Sequence, residues 1–138
     1  MIVADIMTRQ VVTVPIGLTV GAALTRAGEH DIHHLVIVEK ERLRGVVCVC
    51  QLLDQPTQQT LNQLPVGPPE VIWPQSSLTG AAYRFMDKNV SCFPVCDGAE
   101  LVGVITRSDL RLRQDESGDL PISFDCGHCG SLRQRRPE

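Results

Sequence analysis

Apolar residues recur along the chain with two different periods, and these periods predict its secondary structure. Two segments carry apolar side chains at steps of three and four, which is the spacing of one face of an α-helix. These positions are Val20, Ala23, Leu24 and Ala27 in the first segment, and Leu78, Ala81, Ala82, Phe85 and Met86 in the second. Short, continuously apolar runs at residues 35–38 and 93–96 follow the two segments and predict buried strands.

The same order of elements occurs twice, which indicates an internal repeat. The runs Val12-Thr-Val-Pro15 and Val71-Ile-Trp-Pro74 precede the two predicted helices, and Gly45 and Gly103 lie in the last apolar run of each copy. Each copy is therefore predicted to form strand–helix–strand–strand–helix. Two copies are too few for a solenoid, but two copies that face each other can bury one shared core.

Glycine, asparagine and aspartate mark the predicted turns. Asp97-Gly98 predicts a tight hairpin in the second copy, whereas residues 39–42 form a more polar and less sharply defined turn in the first. Gly28 and Asn89 stand near the ends of the predicted helices, where a left-handed residue is expected.

The segment between the copies, residues 54–69, is rich in glutamine, proline and threonine. Leu61 and Leu64 are its only strong apolar anchors. This composition predicts a loop with one helical turn, followed by an extended approach to the next strand at Pro68-Pro69.

Composition and charge are those of a globular chain. Of the 138 residues, 43 % are hydrophobic and 21 % are charged, and the formal net charge is −3. The acidic balance argues against a nucleic-acid partner, and no apolar run is long enough to span a membrane. The N-terminus lacks the basic start and apolar core of a signal peptide, so we expect a cytoplasmic protein whose six cysteines are thiols or metal ligands rather than disulfides.

The candidate chemistry lies at Thr106 and Asp109, which follow the last predicted strand. Thr-x-x-Asp is close to a capping box, in which the threonine and the residue three positions later cap a helix reciprocally. The same pair could hold a ligand, because a carboxylate accepts hydrogen bonds from a ribose diol and helix-start N–H groups attract phosphates. The pattern alone favours capping, since it is short and common, but the two interpretations are compatible.

Several ordered motifs together resemble a tandem pair of CBS (cystathionine-β-synthase) domains, also called a Bateman module. They are Asp5-Ile-Met-Thr8, Val-Thr-Val-Pro, Ala-Ala on a helix, and Gly-h-h-Thr-x-x-Asp after an apolar strand, where h is an apolar residue. The resemblance covers about residues 1–114. It implies a mixed α/β (α+β) fold of two βαββα halves packed through their sheets with pseudo-two-fold symmetry, and modules that associate into homodimers. The expected boundaries are 1–55 for the first repeat, 56–69 for the linker, 70–114 for the second repeat and 115–138 for a polar tail.

The resemblance also implies adenosine-binding clefts between the halves, each served by one Gly-h-h-Thr-x-x-Asp motif. The second copy keeps the motif as Gly103, Thr106 and Asp109, whereas the first has Cys48 and Gln51 in place of the threonine and aspartate. A thiol and a neutral amide are weaker partners for a ribose, so we expect one competent cleft, served by the second copy.

Three further residues are assigned to this cleft by the resemblance. Ile72 and Pro94 are expected to flank the adenine, with core packing as the alternative for both. Arg107 is either a phosphate contact or a solvated arginine at the helix start. Val36 stands in the first copy where the second has Pro94, a further departure that weakens the first cleft.

Metal sites are less clearly indicated. His33 and His34 are adjacent, so on a strand they point to opposite faces and do not easily share an ion. Cys48 and Cys50 are interpreted as buried structural thiols. In the tail, Cys126-x-x-Cys129 resembles half of a zinc knuckle, with a flexible terminus or a redox pair as alternatives, since zinc usually takes four ligands.

The sequence therefore predicts a regulatory protein rather than an enzyme. It is expected to bind AMP, ADP, ATP or S-adenosylmethionine and to signal to an unidentified effector protein, without nucleic acid or membrane as partner. The alternative is a metal- or thiol-responsive interaction protein that uses Cys126 and Cys129 on a CBS dimerisation scaffold.

Overall fold

The computed structural model describes residues 1–66, 69–88 and 90–111 and has a mixed α+β architecture. The chain divides into two compact units. The central unit is Val12–Glu70, and the terminal unit combines Met1–Val11 with the chain from Val71 onward. Among the described residues, no helix has both the length and the apolar character that crossing a membrane requires.

The central unit is a three-stranded sheet covered by one main helix. Its strands are β1 (Thr13–Pro15), β2 (His34–Glu39) and β3 (Arg42–Cys48), in the order β1-β2-β3. Strand β1 runs parallel to β2, and β2 runs antiparallel to β3. Helix α2 (Val20–His30) connects β1 to β2, and a short helix, α3 (Val49–Leu52), follows β3. The predicted strand–helix–strand–strand–helix order of the first copy is thus confirmed.

The segment after α3 closes the central unit over the start of α2. The backbone N–H groups of Val20 and Gly21 donate to the carbonyls of Gln59 and Thr57 at 2.7 and 2.9 Å, where the first turn of a helix lacks partners of its own. Leu61 is completely buried in the core and opens a 3-10 turn, Leu61–Gln63. The single helical turn and its leucine anchor were predicted correctly.

The terminal unit repeats the helix–strand–strand–helix part of this arrangement, but the strand predicted at residues 71–74 is reduced to an isolated bridge at Ile72. Helix α4 (Leu78–Lys88) packs on β4 (Cys92–Asp97) and β5 (Glu100–Thr106), which form an antiparallel hairpin, and α5 (Arg107–Arg111) follows. The ring centroids of Phe85 on α4 and Phe93 on β4 are 4.7 Å apart in the core. An isolated bridge joins Ile72 to β4, and another joins Thr8 to β5.

The first residues of the chain complete the terminal unit. Helix α1 (Val3–Ile6) lies just before Thr8. The N–H groups of Val3 and Ala4 donate to the carbonyls of Ser76 and Pro74, both at 2.8 Å. The backbones of Thr8 and Val104 exchange two hydrogen bonds of 2.9 Å. The compact units therefore differ from the expected sequence boundaries at the N-terminus, and those boundaries of the repeats remain a prediction.

Two hairpins and one helix end test the predicted turns. Gly98 has φ +65° in the β4–β5 hairpin, as expected for Asp-Gly, and Lys40 and Glu41 have φ 51° and 66° in the β2–β3 hairpin. Gly28 was expected in a left-handed helix end, but it lies inside α2, and Asp31 has the left-handed conformation instead. Aspartate tolerates this conformation better than most residues, so the helix can end after His30. Asn89 lies outside the described residues.

Candidate functional site

The predicted pair Thr106 and Asp109 forms a reciprocal capping box where β5 meets α5. The N–H of Thr106 donates to the Asp109 Oδ2 at 2.8 Å, and the N–H of Asp109 donates to the Thr106 Oγ1 at 3.3 Å. Both residues are half-buried, so each retains some accessible surface. Capping is therefore confirmed, and it fixes the two side chains within one turn of each other.

One face of the β4–β5 hairpin carries a further predicted residue, Pro94. Thr106 pairs with Cys92 and Val104 pairs with Pro94, and residues directly opposite on an antiparallel pair share a face. Pro94, which was assigned to the adenine, thus lies on the same face as Thr106. The two residues are separated along the hairpin by one intervening pair, Phe93–Ile105, whose side chains point to the core.

The junction of β5 and α5 at Thr106 and Asp109 is called the corner below. Cys92 lies next to this corner, and the sequence interpretation missed it. Burial raises the pKa of the Cys92 thiol to about 12, and the charge of the Asp109 carboxylate contributes in the same direction. The thiol is thus neutral near pH 7 and close enough to Asp109 to sense its charge. The Asp97-Gly98 turn alone would place Cys92 opposite Ile105. A bulge between Val95 and Cys96 shifts the register by one residue and brings Cys92 opposite Thr106, so the turn signal was not sufficient to find it.

Ile72 lies on the core side of the same sheet. Its side chain is 1 % exposed and belongs to the core cluster with Phe85 and Phe93. Its N–H donates to the Pro94 carbonyl at 3.0 Å, and its carbonyl accepts from the Cys96 N–H at 3.1 Å. Ile72 therefore packs in the core, which was the alternative interpretation, and its backbone N–H and carbonyl are both hydrogen-bonded to β4.

Gly103 is required by the close passage of the N-terminal segment. A Cβ at this position would lie 2.8 Å from the carbonyl oxygen of Thr8 and 2.9 Å from the Met7 Sδ. Both distances are shorter than real contacts of a Cβ atom, so any larger residue would displace the segment. Gly103 therefore has a packing role next to the corner. Its predicted role in ligand binding remains a prediction.

Arg107 is buried and bonded to the end of α4, which corrects the interpretation of a solvated arginine. It is 5 % exposed, so it is not a solvated helix-start residue. Its Nε donates to the Val90 carbonyl at 2.8 Å and its Nη2 to the Phe85 carbonyl at 3.1 Å, where α4 ends. The guanidinium also lies 6.0 Å from the centroid of the Phe85 ring. These contacts point the guanidinium into the unit and give Arg107 a role in the fold, and a phosphate contact of Arg107 remains a prediction.

The corresponding corner of the central unit has the same architecture with different chemistry. The N–H of Cys48 donates to the Gln51 Oε1 at 2.8 Å, which reproduces the bond between Thr106 and Asp109. The acceptor is now a neutral amide, and the hydroxyl is replaced by a thiol. The two repeats thus differ at this corner in charge and hydrogen-bonding strength rather than in backbone geometry.

The described residues contain no cluster of three or more histidine, cysteine, aspartate or glutamate side chains that could hold a metal ion. His33 is exposed and His34 is half-buried, while Cys48 and Cys50 are buried thiols outside any disulfide, as interpreted. The predicted zinc ligands Cys126 and Cys129 lie outside the described residues, so a zinc site in the tail remains a prediction.

Comparison with known proteins identifies the family. A family model described as the CBS domain matches residues 3–55 and 61–116. One similar solved structure is a hexameric CBS-CP12 protein from bloom-forming cyanobacteria, with a TM-score of 0.78 and 21 % identity over 86 % of this chain and 72 % of that chain. Another is the CBS domain pair of protein MJ0100 in complex with 5′-methylthioadenosine and S-adenosyl-L-methionine, with a TM-score of 0.73 and 22 % identity over 84 % of this chain and 98 % of that chain.

A curated relative is larger than this chain. The A-adding tRNA nucleotidyltransferase of Geobacter sulfurreducens is 26 % identical over 112 residues, which are 78 % of this chain and 13 % of the relative. The match therefore concerns a small part of that protein and does not carry its activity. Because the CBS family model matches both repeats and more than half of the residues, the chain belongs to the CBS domain family and carries two CBS domains in tandem.

Proposed function

We propose that the chain is a regulatory module that binds an adenosine-containing ligand at the Thr106–Asp109 corner of the terminal unit. The observation that carries the proposal is the reciprocal pair of hydrogen bonds that holds a hydroxyl and a carboxylate together at a partly exposed strand end. AMP, ADP, ATP and S-adenosylmethionine all present the ribose diol that such a pair can bind.

The chemistry of the corner suits a diol. A carboxylate has two oxygens and about four acceptor positions, so Asp109 can cap the Thr106 N–H and also accept from ribose hydroxyls. Hydrogen bonds to a charged acceptor are worth about 1.5–3 kcal/mol each, about twice those to a neutral one. A protein that holds both side chains in place before binding loses less entropy when the ligand arrives.

The central unit is the weaker candidate for the same ligand. Gln51 occupies the position of Asp109 but presents a neutral amide oxygen, which already accepts from the Cys48 N–H at 2.8 Å. Without a charged acceptor, this corner cannot form the charge-assisted bonds that favour a diol. We therefore propose one competent adenosyl site in each chain.

Membership in the CBS family and the ligands of protein MJ0100 support an adenosyl compound, although they do not identify which one. We propose that ligand binding shifts a conformational equilibrium that a partner protein reads. We further propose that the modules form homodimers; the hexameric CBS-CP12 protein is an example of a similar protein that self-associates.

A thermal-unfolding screen with purified full-length protein tests the ligand. AMP, ADP, ATP and S-adenosylmethionine are compared with GTP as the guanine control. A ligand at 100 times its dissociation constant stabilises the folded state by about 2.7 kcal/mol, which raises the Tm of a protein of this size by roughly 5–10 °C. A shift with an adenosyl compound and none with GTP is expected. Equal shifts with both, or none with any adenosyl compound, would contradict the proposal.

The site is then tested by substituting Asp109 with its neutral isostere. Asp109→Asn keeps an oxygen that can accept the Thr106 N–H, so the corner should stay folded, but it removes the charge. Affinity measured by calorimetry should fall roughly 10–150-fold, the equivalent of about 1.5–3 kcal/mol. Gln51→Glu is the matched control, because it changes the same position in the other repeat by one charge and should leave the affinity of the terminal unit unchanged. Unchanged affinity in Asp109→Asn would place the site elsewhere.

A further inference from the structure

Two buried cysteines lie side by side where β3 meets α3 in the central unit. Cys48 ends β3 and Cys50 lies in the first turn of α3, with 2 % and 6 % of their surfaces exposed. The Cys50 thiol donates to the Cys48 sulfur, and the two sulfurs are 3.0 Å apart. Neither cysteine is part of a disulfide.

The backbone permits a bond between these sulfurs. Consecutive Cα atoms are 3.8 Å apart, so residues two positions apart are separated by at most about 7.6 Å, and the bend between β3 and α3 shortens that distance. Disulfides typically span Cα separations of about 4.4–6.8 Å and have a sulfur–sulfur bond of about 2.05 Å. Closing the gap therefore requires movement of about 1 Å, within the reach of side-chain rotation and a small backbone adjustment.

The other described cysteines provide an internal comparison. Cys92 and Cys96 lie four positions apart on β4, which at about 3.3 Å per residue separates them by roughly 13 Å, well beyond the span of a disulfide. The second repeat has Thr106 and Ser108 at the junction of β5 and α5, in place of Cys48 and Cys50. The dithiol is thus specific to the first repeat.

From this geometry we infer that Cys48 and Cys50 form a reversible dithiol–disulfide site that reacts with a low-molecular-weight disulfide such as oxidised glutathione. The thiolate of one cysteine attacks the small disulfide, forms a mixed disulfide and releases the first small thiolate. The thiolate of the other cysteine attacks the protein sulfur of the mixed disulfide and releases the second. The two cysteines lose two electrons and two protons in total, and the small disulfide becomes two thiols.

This modification would change the corner at which the first repeat departs from the ligand motif. Cys48 donates its N–H to Gln51, so the covalent ring would include the residue that precedes α3 and tie it to the first turn of the helix. The site lies in the central unit and does not depend on ligand binding by Asp109. Its test can therefore succeed or fail independently of the proposed function.

The test uses the full-length chain with Cys126→Ser and Cys129→Ser, so that the tail pair cannot supply the signal. The folded protein is incubated with oxidised glutathione and analysed by intact mass and by peptide mapping. The expected product has lost two hydrogen atoms, carries no glutathione, contains a Cys48–Cys50 linkage and retains two of its four thiols. Dithiothreitol should restore the original mass.

Two variants keep the test falsifiable. In Cys48→Ser the loss of two hydrogens should disappear and Cys50 should carry glutathione or remain a thiol, whereas Cys92→Ser should behave like the parent. Circular dichroism of each variant establishes that it is folded. A native protein that never forms the linkage, a linkage mapped to Cys92 or Cys96, or a loss of two hydrogens that persists in Cys48→Ser would each overturn the inference.

Discussion

At the residue scale, Asp109 influences both the capping of α5 and the ionisation of a neighbouring thiol. Its carboxylate accepts the Thr106 N–H, and its negative charge disfavours loss of the proton from Cys92. Desolvation is the larger cause of the raised pKa, because burial penalises a thiolate more than a thiol. The corner thus combines a charged carboxylate with a neighbour that stays neutral.

Stability should fall at alkaline pH because of Cys92. Its pKa is 9.0 in an ordinary environment and about 12 in the folded protein, so between these values only the unfolded chain loses the proton. The unfolded state is then favoured as the pH rises, and the stability associated with Cys92 is present below pH 9 and declines above it. From pH 8 to pH 10 the loss should be about 1.4 kcal/mol, measured by urea unfolding.

The variant Cys92→Ala isolates this contribution, because tyrosine, lysine and the other cysteines titrate in both proteins. The variant should be less stable than the parent at pH 8, since it leaves a cavity in place of a buried side chain. The difference in the free energy of unfolding should narrow by about 1.4 kcal/mol at pH 10. A difference that does not change with pH would show that Cys92 ionises equally in both states.

At the element scale, both hairpins turn through residues with positive φ, but the residue types differ. Gly98 takes the left-handed conformation between β4 and β5 without steric cost, whereas Lys40 and Glu41 both take it between β2 and β3. Non-glycine residues with φ near +60° are disfavoured by about 1–2 kcal/mol, because Cβ crowds the carbonyl oxygen. The β2–β3 hairpin therefore carries local strain that the β4–β5 hairpin avoids.

Glu41→Gly should relieve this strain and stabilise the protein. The gain in the free energy of unfolding should be about 0.5–1 kcal/mol, since the removed strain is partly offset by the greater freedom of glycine in the unfolded chain. Urea unfolding measures the change. The matched control is Gly98→Ala, which introduces a Cβ at φ +65° and should destabilise by about 1 kcal/mol. Destabilisation by Glu41→Gly would indicate that the glutamate contributes more than its backbone costs.

Elements defined by repeated apolar positions were predicted well from the sequence. Burial of one apolar face dominates the stability of a helix or strand, so the periods at residues 20–27 and 78–86 located α2 and α4. The predicted end of α2 at Gly28 was wrong. A helix can end at a residue that tolerates the left-handed conformation, and both Gly28 and Asp31 tolerate it. Asp31 follows the last residue of the helix, and no periodic signal distinguishes the two positions.

The candidate site was predictable where the signal is local in sequence. The spacing of Thr106 and Asp109 indicated the capping box because both partners lie within one helical turn. The role of Arg107 was not predictable, since its partners Phe85 and Val90 lie more than fifteen residues earlier in the chain. Spacing carries no information about which distant carbonyl a guanidinium meets. Ligand binding by any of these residues remains a prediction.

At the scale of the whole molecule, the chain enters the terminal unit, builds the central unit and then returns. The first contact is made by Val3 and Met7, which are buried in the core formed by α4, β4 and β5. Gly103 leaves room for Met7 and Thr8 to approach β5. This connection could not be predicted from apolar periodicity, because a four-residue helix and isolated bridges leave no periodic pattern.

A substitution near the N-terminus should therefore loosen an element that lies about seventy residues further along the chain. Val3 is fully buried, and its N–H donates to the Ser76 carbonyl, just before α4. Val3→Ala should destabilise the terminal unit by about 1–3 kcal/mol, the range expected for removing buried methyl groups. Hydrogen-exchange protection in peptides covering residues 78–106 should fall roughly 5–150-fold, because exchange there reports the free energy of opening this unit.

The exposed neighbour Met1 provides the control, since its side chain is 58 % exposed. Met1→Ala should leave protection in both units unchanged, because it removes no buried contact. If Val3→Ala instead lowered protection only in peptides from residues 13–48, the N-terminal segment would stabilise the first sequence repeat in solution. Loss of protection in residues 78–106 would establish that the second CBS repeat depends on residues at the start of the first.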